Sequence, residues 1–197
     1  MNINTLFQLI SDENVDKADK LLFMPDLFGY LLTGKPVCEM NYCGNEIGSY
    51  WSRGTAWMIY GLTKVLQYSG DRERYLSPLE GVSAKYLAYT SDYAVPLWDF
   101  RLPEGEKILY DSSAAAIAGS AFMEFDALGV KPEIAAQAIQ TTDRAIALLR
   151  GETYFGSDDV EYILKYQNEE GALWGDYFFT ELIMKKLYGN RLVDFWI

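Results

Sequence analysis

Histidine is absent from the 197 residues. Its absence removes Ser-His-Asp and Cys-His nucleophilic chemistry and every His-based metal site, leaving Asp and Glu as the acid/base groups. Cysteine is nearly as scarce: Cys38 and Cys43 are the two, and the four residues between them do not make a zinc spacing. They read as reduced bystanders. Positive charge is also short, with 17 Lys and Arg against 28 Asp and Glu and a net charge of −11. Nucleic-acid binders and anionic-membrane binders both rely on a positive field, so neither partner is expected. No apolar run is long enough to span a bilayer, and Met1-Asn2-Ile3-Asn4 opens no basic-then-apolar leader, so the expected location is cytoplasmic. With half of its residues hydrophobic and only 6 prolines, the chain reads as one domain, 1–197, around one sizeable core.

What is present concentrates at Ser49-Tyr50-Trp51-Ser52-Arg53-Gly54-Thr55-Ala56-Trp57. Aromatic, polar and basic residues crowd the start of a helix there, with Ser52 the expected cap and Gly70 the expected left-handed terminator. Arg53 falls in the first turn. A cation is disfavoured at that end of the helix dipole, so a negative group is expected opposite it. Trp57, four residues on, shares the Arg53 face.

Upstream, 4–22 reads as one or two helical pieces and 35–50 as a loop with extended candidates near Val37 to Tyr42. Downstream, Ser77-Pro78-Leu79-Glu80 combines a capping box with proline at a first helical position, predicting a helix from Pro78 to Thr90. Asp111-Ser112-Ser113 caps a nearly charge-free helix through Met123, of the kind that is buried all round. Gly129 separates it from an amphipathic helix running from Pro132 to Leu149. A short helix is expected over Asp159 to Tyr166, and a last one enters at Trp174-Gly175-Asp176, with Asp176 as cap, and ends at Gly189.

Helices entered from aromatic or acidic loops thus begin near 53, 112 and 176, about sixty residues apart, with more amphipathic helices between them. That alternation suits a toroid of helical hairpins. The helices at 53–69, 112–128 and 176–188 should be inner and those at 78–90 and 132–149 outer, so Ala115, Ile117 and Ala118 should be less exposed than Ala136 and Ala147. The fold class is all-α.

Trp51-Ser52-Arg53-Gly54-Thr55-Ala56-Trp57-Met58-Ile59-Tyr60-Gly61 resembles the unsaturated glucuronyl hydrolases of glycoside hydrolase family 88, whose usual form has Gln where Thr55 stands. Trp98-Asp99-Phe100, Asp111 to Ala118 and Trp174 to Phe179 resemble later blocks of that family in the same order. The resemblance implies an (α/α)6 toroid, of which about three hairpins, roughly the C-terminal half, are represented. It also implies a hydrolase that takes an unsaturated uronic acid oligosaccharide left by polysaccharide lyases. In that family an aspartate protonates the C4=C5 vinyl ether and activates water, and ring opening releases the next sugar without metal or organic cofactor.

The resemblance suggests Trp51, Arg53 and Trp57 as substrate-binding residues. The family's two catalytic aspartates, aligned without gaps, would precede Met1, and its His-Gln pair stands where this chain has Tyr42-Cys43. Asp111 and Asp99 are the remaining catalytic candidates. Each has a structural alternative: Asp111 as a helix cap, Asp99 as a turn stabiliser, Arg53 as an internal ion-pair partner, Trp51 and Trp57 as core. Glu169-Glu170 reads as a solvated loop. A full barrel needs on the order of 350 residues. The expectation is therefore a chain that self-associates or joins a separate N-terminal half, and that is inactive or impaired alone. Its alternatives are a silent carbohydrate-binding remnant and an unrelated helical interaction module. A buried aspartate paired with Arg53 would favour the hydrolase, and an open shallow face the others.

Overall fold

The structure, a computed structural model, describes residues 27–30, 36–40, 43–166 and 170–189. The helical pieces expected over 4–22, and Glu169, lie outside them. The described residues form five helices: α1 (Ser52–Tyr68), α2 (Arg72–Tyr89), α3 (Ser112–Phe122), α4 (Pro132–Leu149) and α5 (Leu173–Tyr188). Two antiparallel ladders accompany them, β1 (Leu27–Tyr30) with β2 (Pro36–Met40) and β3 (Lys165–Tyr166) with β4 (Glu170–Gly171). The extended reading near Val37 corresponds to β2. The short helix expected over Asp159 to Tyr166 is not formed: that stretch is turn and ladder, bridged to Phe155 at Leu164.

α3 is the centre. Its Ala- and Ser-rich sequence has high helix propensity at the alanines and little bulk, so neighbours approach closely, and all eleven residues are buried. A Cβ on Gly119 would lie 3.0 Å from the Leu182 side chain of α5, which shows how near that helix comes. α1 packs on one side of α3 and α5 on the other, while α2 and α4 pack behind. The layer assignment holds: Ala115, Ile117 and Ala118 are buried, and Ala136 and Ala147 exposed. Inner helices therefore alternate with outer ones, and all three inner helices point the same way.

Several boundaries differ from the sequence reading. α2 begins at Arg72 and carries Pro78 inside it, so the Ser77–Glu80 box caps nothing. Burial of Tyr75, Leu79, Val82 and Tyr86 offsets the hydrogen bond that proline forfeits. Glu80 instead accepts the backbone N–H of Lys131 at 3.0 Å, and its other oxygen meets Lys131 Nζ at 3.1 Å. A carboxylate from α2 thus sits where α4 starts, the favourable sign for that helix end. α1 closes on Ser69, extended at φ −91°, so Gly70 is not its left-handed terminator. Gly129 and Gly189 do take positive φ, at 60° and 69°.

At the C-terminal ends of the inner helices a buried polar cluster crosses all three. Glu124 Oε1, just beyond α3, meets Lys64 Nζ of α1 at 2.6 Å and Lys185 Nζ of α5 at 2.5 Å. Lys185 also donates to the Ser120 carbonyl at 3.1 Å and hydroxyl at 2.9 Å, and pairs with Glu181 at 2.6 Å. The Tyr60 hydroxyl of α1 donates to Glu181, and burial pushes it far above its ordinary titration range. Meanwhile α5 leaves Leu173, Tyr177, Leu187 and Tyr188 exposed, and α1 leaves Tyr68.

Candidate functional site

The opposite rim gathers the three inner-helix N-termini. Three short segments run side by side there, because Ser52 N–H donates to the Trp98 carbonyl at 3.0 Å, Trp98 N–H to Leu109 at 2.9 Å and Asp111 N–H to Pro96 at 2.8 Å. Antiparallel bridges Trp51–Asp99 and Leu97–Tyr110 complete this ladder. It sets the entry residues of α1 and α3 next to each other. A strap at 163–165 does the same for α5: Ser112 Oγ donates to the Lys165 carbonyl at 2.6 Å, and Asp176 Oδ1 accepts the N–H groups of Ile163 and Leu164, each at 2.9 Å.

Asp176 is therefore not the cap of α5. Ala172 holds that position without a side-chain bond, and Asp176 lies inside the first turn. Nor does Ser52 cap α1. Trp51 is the cap residue, and the Ser52 hydroxyl donates across the rim to Trp98 O at 3.1 Å.

Arg53 is placed in the first turn of α1 and is 8% exposed. The negative group expected opposite it is Asp111, whose Oδ2 lies 3.7 Å from Arg53 Nε. Asp111 is fully buried. Its Oδ1 accepts from Ala114 N–H at 2.9 Å and from the Ser113 hydroxyl at 2.5 Å, so the aspartate caps α3 with one oxygen and faces Arg53 with the other. Oδ2 accepts no hydrogen bond among the described residues. Burial pushes the Asp111 carboxyl above its ordinary value; the Arg53 charge and the Ser113 and Ala114 bonds pull the other way.

The guanidinium of Arg53 lies over two indoles, 4.9 Å from the Trp51 ring and 5.1 Å from the Trp174 ring. Trp57 lies one turn further along α1. It packs edge-on against Phe178 at 5.0 Å and is 38% exposed. Trp174 was missed by the sequence reading, though its signal was available: it is the second residue of α5, as Arg53 is of α1.

Asp99 is buried, and both its oxygens face backbone. Oδ1 accepts from Tyr50 N–H at 3.1 Å and Arg101 N–H at 2.8 Å, and Oδ2 accepts from Asn45 N–H at 3.0 Å. That is the turn-stabilising arrangement. Among the described residues no group of three or more metal-ligating side chains converges, and no helix is long and apolar enough to cross a membrane.

No family model matches the chain. A curated relative, the unsaturated glucuronyl hydrolase of Formosa agariphila, is 31% identical over 94% of this chain and 53% of its own length. Among solved structures, the unsaturated glucuronyl hydrolase of Bacillus sp. GL1 superposes with a TM-score of 0.71 at 26% identity, over 82% of this chain and 46% of that one. A second, designated UGL and containing dGlcA-Glc-Rha-Glc, gives 0.70 at 27% identity over the same shares. The chain spans about half the length of the relatives it matches, and the five helices are part of an (α/α)6 barrel. A shorter match, 52% identical over 44 residues, is to the rhamnulokinase of Bacteroides thetaiotaomicron; it covers 20% of this chain and 9% of that protein, too little to set a kinase fold.

Proposed function

The chain belongs to the unsaturated glucuronyl hydrolases, and from that premise we propose that its rim is the part of a family 88 glycosidase site that receives the carboxylate of a 4,5-unsaturated uronic acid. One observation supports this reading: a guanidinium over the Trp51 and Trp174 rings at the N-terminal end of the inner helices, with Asp111 beside it. Flat indole faces suit a sugar ring, and a guanidinium forms paired, charge-assisted bonds with a carboxylate. Asp111 acts on Arg53 as a positioning residue. Its pull along the Nε side fixes the plane of the guanidinium that an incoming anion meets.

The substrate is an oligosaccharide released by a polysaccharide lyase. Its hydrolysis requires a carboxylic acid to protonate the C4=C5 bond and a base to activate water, a contribution of about 10²–10⁴-fold. Asp99 spends both oxygens on backbone N–H groups and Asp111 caps α3, so neither is arranged for that proton transfer. The acid belongs to the part of the barrel that these helices do not form. Exposed Leu173, Tyr177, Leu187 and Tyr188 on α5 and Tyr68 on α1 are apolar area that the rest of the barrel would cover. The fold match also weighs against an unrelated interaction module.

Calorimetric titration with an unsaturated uronic disaccharide tests the proposal. Arg53→Ala should weaken binding about ten- to a hundredfold, the equivalent of roughly 1.5–3 kcal/mol for one charge-assisted partner. Unchanged affinity would return Arg53 to a purely internal role.

A further inference from the structure

A second concavity opens on the outer side of the same rim. It is a cleft of about 550 Å³ between the exit of α2 and the last turns of α4, lined by Asp92, Tyr93, Tyr110, Arg144, Leu148 and Tyr154. With Ala147 these make seven lining residues, of which three are tyrosines. The Tyr93 and Tyr110 rings pack on each other at 5.7 Å, inclined at 58°, as a tilted aromatic pair. Tyr93 and Leu148 are each nearly half exposed, which is costly for apolar area unless something covers it.

The cleft is held in shape. Arg144 donates to the Ser91 carbonyl at 2.9 Å and to the Asp92 carbonyl at 3.4 Å, tying α4 to the loop that follows α2. The next residue after Tyr93, buried Ala94, is the single non-glycine residue among those described with positive φ, at 62°. That conformation costs an alanine about 1–2 kcal/mol, and it turns the chain so that Tyr93 projects while Val95 is buried. Tyr110 is covalently next to Asp111 but serves the cleft rather than the Arg53 rim. The two sites therefore share a wall and no lining residue.

We infer that this cleft is a second saccharide site, one that takes a neutral pyranose ring with its C–H face against the tyrosines and its hydroxyls toward Arg144 and Asp92. Flat aromatic faces match the apolar face of a pyranose. The one cation and one anion of the lining offer a donor and an acceptor without net charge, as hydroxyls require. An anionic sugar would gain little here, given a protein of net charge −11. The inference does not depend on Arg53, so the two readings can fail separately.

The test is titration of the full chain with cellotetraose, a neutral oligosaccharide without a uronate, followed by saturation-transfer NMR and by calorimetry. Binding in the millimolar range is expected. Tyr93→Ala, a change at an exposed position that leaves the core intact, should weaken it by about tenfold or more. Tyr93→Phe should restore most of it, and Arg53→Ala should leave it unchanged. No cellotetraose binding by the wild-type chain, or binding indifferent to Tyr93→Ala, would overturn the proposal. Loss of binding in Arg53→Ala would overturn it too, by assigning the sugar to the rim. Binding of the unsaturated disaccharide should in turn survive Tyr93→Ala, which keeps the outcome separate from that of the Arg53 site.

Discussion

The two ends of the inner-helix layer handle charge in opposite ways. At the base, Glu124 Oε1 contacts two lysines at 2.5 and 2.6 Å, and Lys185 reaches four oxygens drawn from α3, α5 and the turn after α3. At the rim, Arg53 and Asp111 approach to 3.7 Å, and the Trp51 and Trp174 rings lie 4.9 and 5.1 Å from the guanidinium. A network of short contacts links three helices to one another, although Glu124 Oε2, like Asp111 Oδ2, accepts no hydrogen bond among the described residues. On the proposed reading, the longer Arg53–Asp111 pair belongs to the end that meets the ligand. The lesson is that burial of a charge does not distinguish structure from function here; what its neighbours are does.

The largest effect should come from cutting the base. Lys185→Met keeps length and apolar bulk but leaves buried Glu124 with Lys64 alone and Glu181 with hydroxyl donors only, and removal of one partner of a buried pair costs about 3–5 kcal/mol. Urea denaturation measures it directly. A loss below about 1 kcal/mol would mean the base is no more than a surface pair in disguise.

Arg53→Ala should cost less stability than Lys185→Met although it too leaves a buried carboxylate behind. Asp111 can escape by taking a proton, since burial has already raised its pKa. The same two variants should exchange ranks in ligand titration, with Lys185→Met folding less stably yet retaining affinity and Arg53→Ala losing it. Equal behaviour in both assays would erase the contrast between the ends.

Uncovered apolar faces give a third way to probe the barrel. If the inner layer is completed by another copy, light scattering at micromolar concentration and moderate salt should show a two-fold dimer. A monodisperse particle of 22.4 kDa would count against self-association.

The smallest effect is a slope. The folded-state pKa of Asp111 lies above the ordinary carboxylate value of 3.8, so the folded chain binds a proton that the unfolded chain has released in that interval. Its contribution is fully present below 3.8 and is lost as pH rises through the raised value. Asp111→Asn keeps a capping oxygen but cannot titrate. The melting temperature of the wild type minus that of the variant should therefore fall as pH rises across this window. A difference that grows with pH would show that pairing with Arg53 outweighs burial.

Much of this was legible in the residues. Asp111 before an Ala-rich run marked both a cap and a buried helix, Pro132 marked the start of α4, and a cation in the first turn of α1 demanded an anion that Asp111 supplies. Local signals failed where tertiary contacts overrule them. Pro78 looked like a helix start because the packing of Tyr75 and Leu79 against the core could not be seen. Asp176 looked like a cap because its true partners, the N–H groups of Ile163 and Leu164, belong to a strap misread as helix. The base was invisible for a related reason. Lys64, Glu124 and Lys185 are about sixty residues apart, and each alone is an ordinary charge near a helix end.

The central claim is the proposal that the Arg53 rim binds an unsaturated uronate while neither Asp99 nor Asp111 is arranged to hydrate it. The most direct measurement follows the ultraviolet absorbance of the conjugated C4=C5 bond after the purified 197-residue chain is added to an unsaturated uronic disaccharide. The absorbance should stay constant or decay severely slowly. Turnover at a rate normal for glycosidases, abolished by Asp111→Asn or Asp99→Asn in a variant that still folds, would show that these helices carry their own acid and would contradict the account.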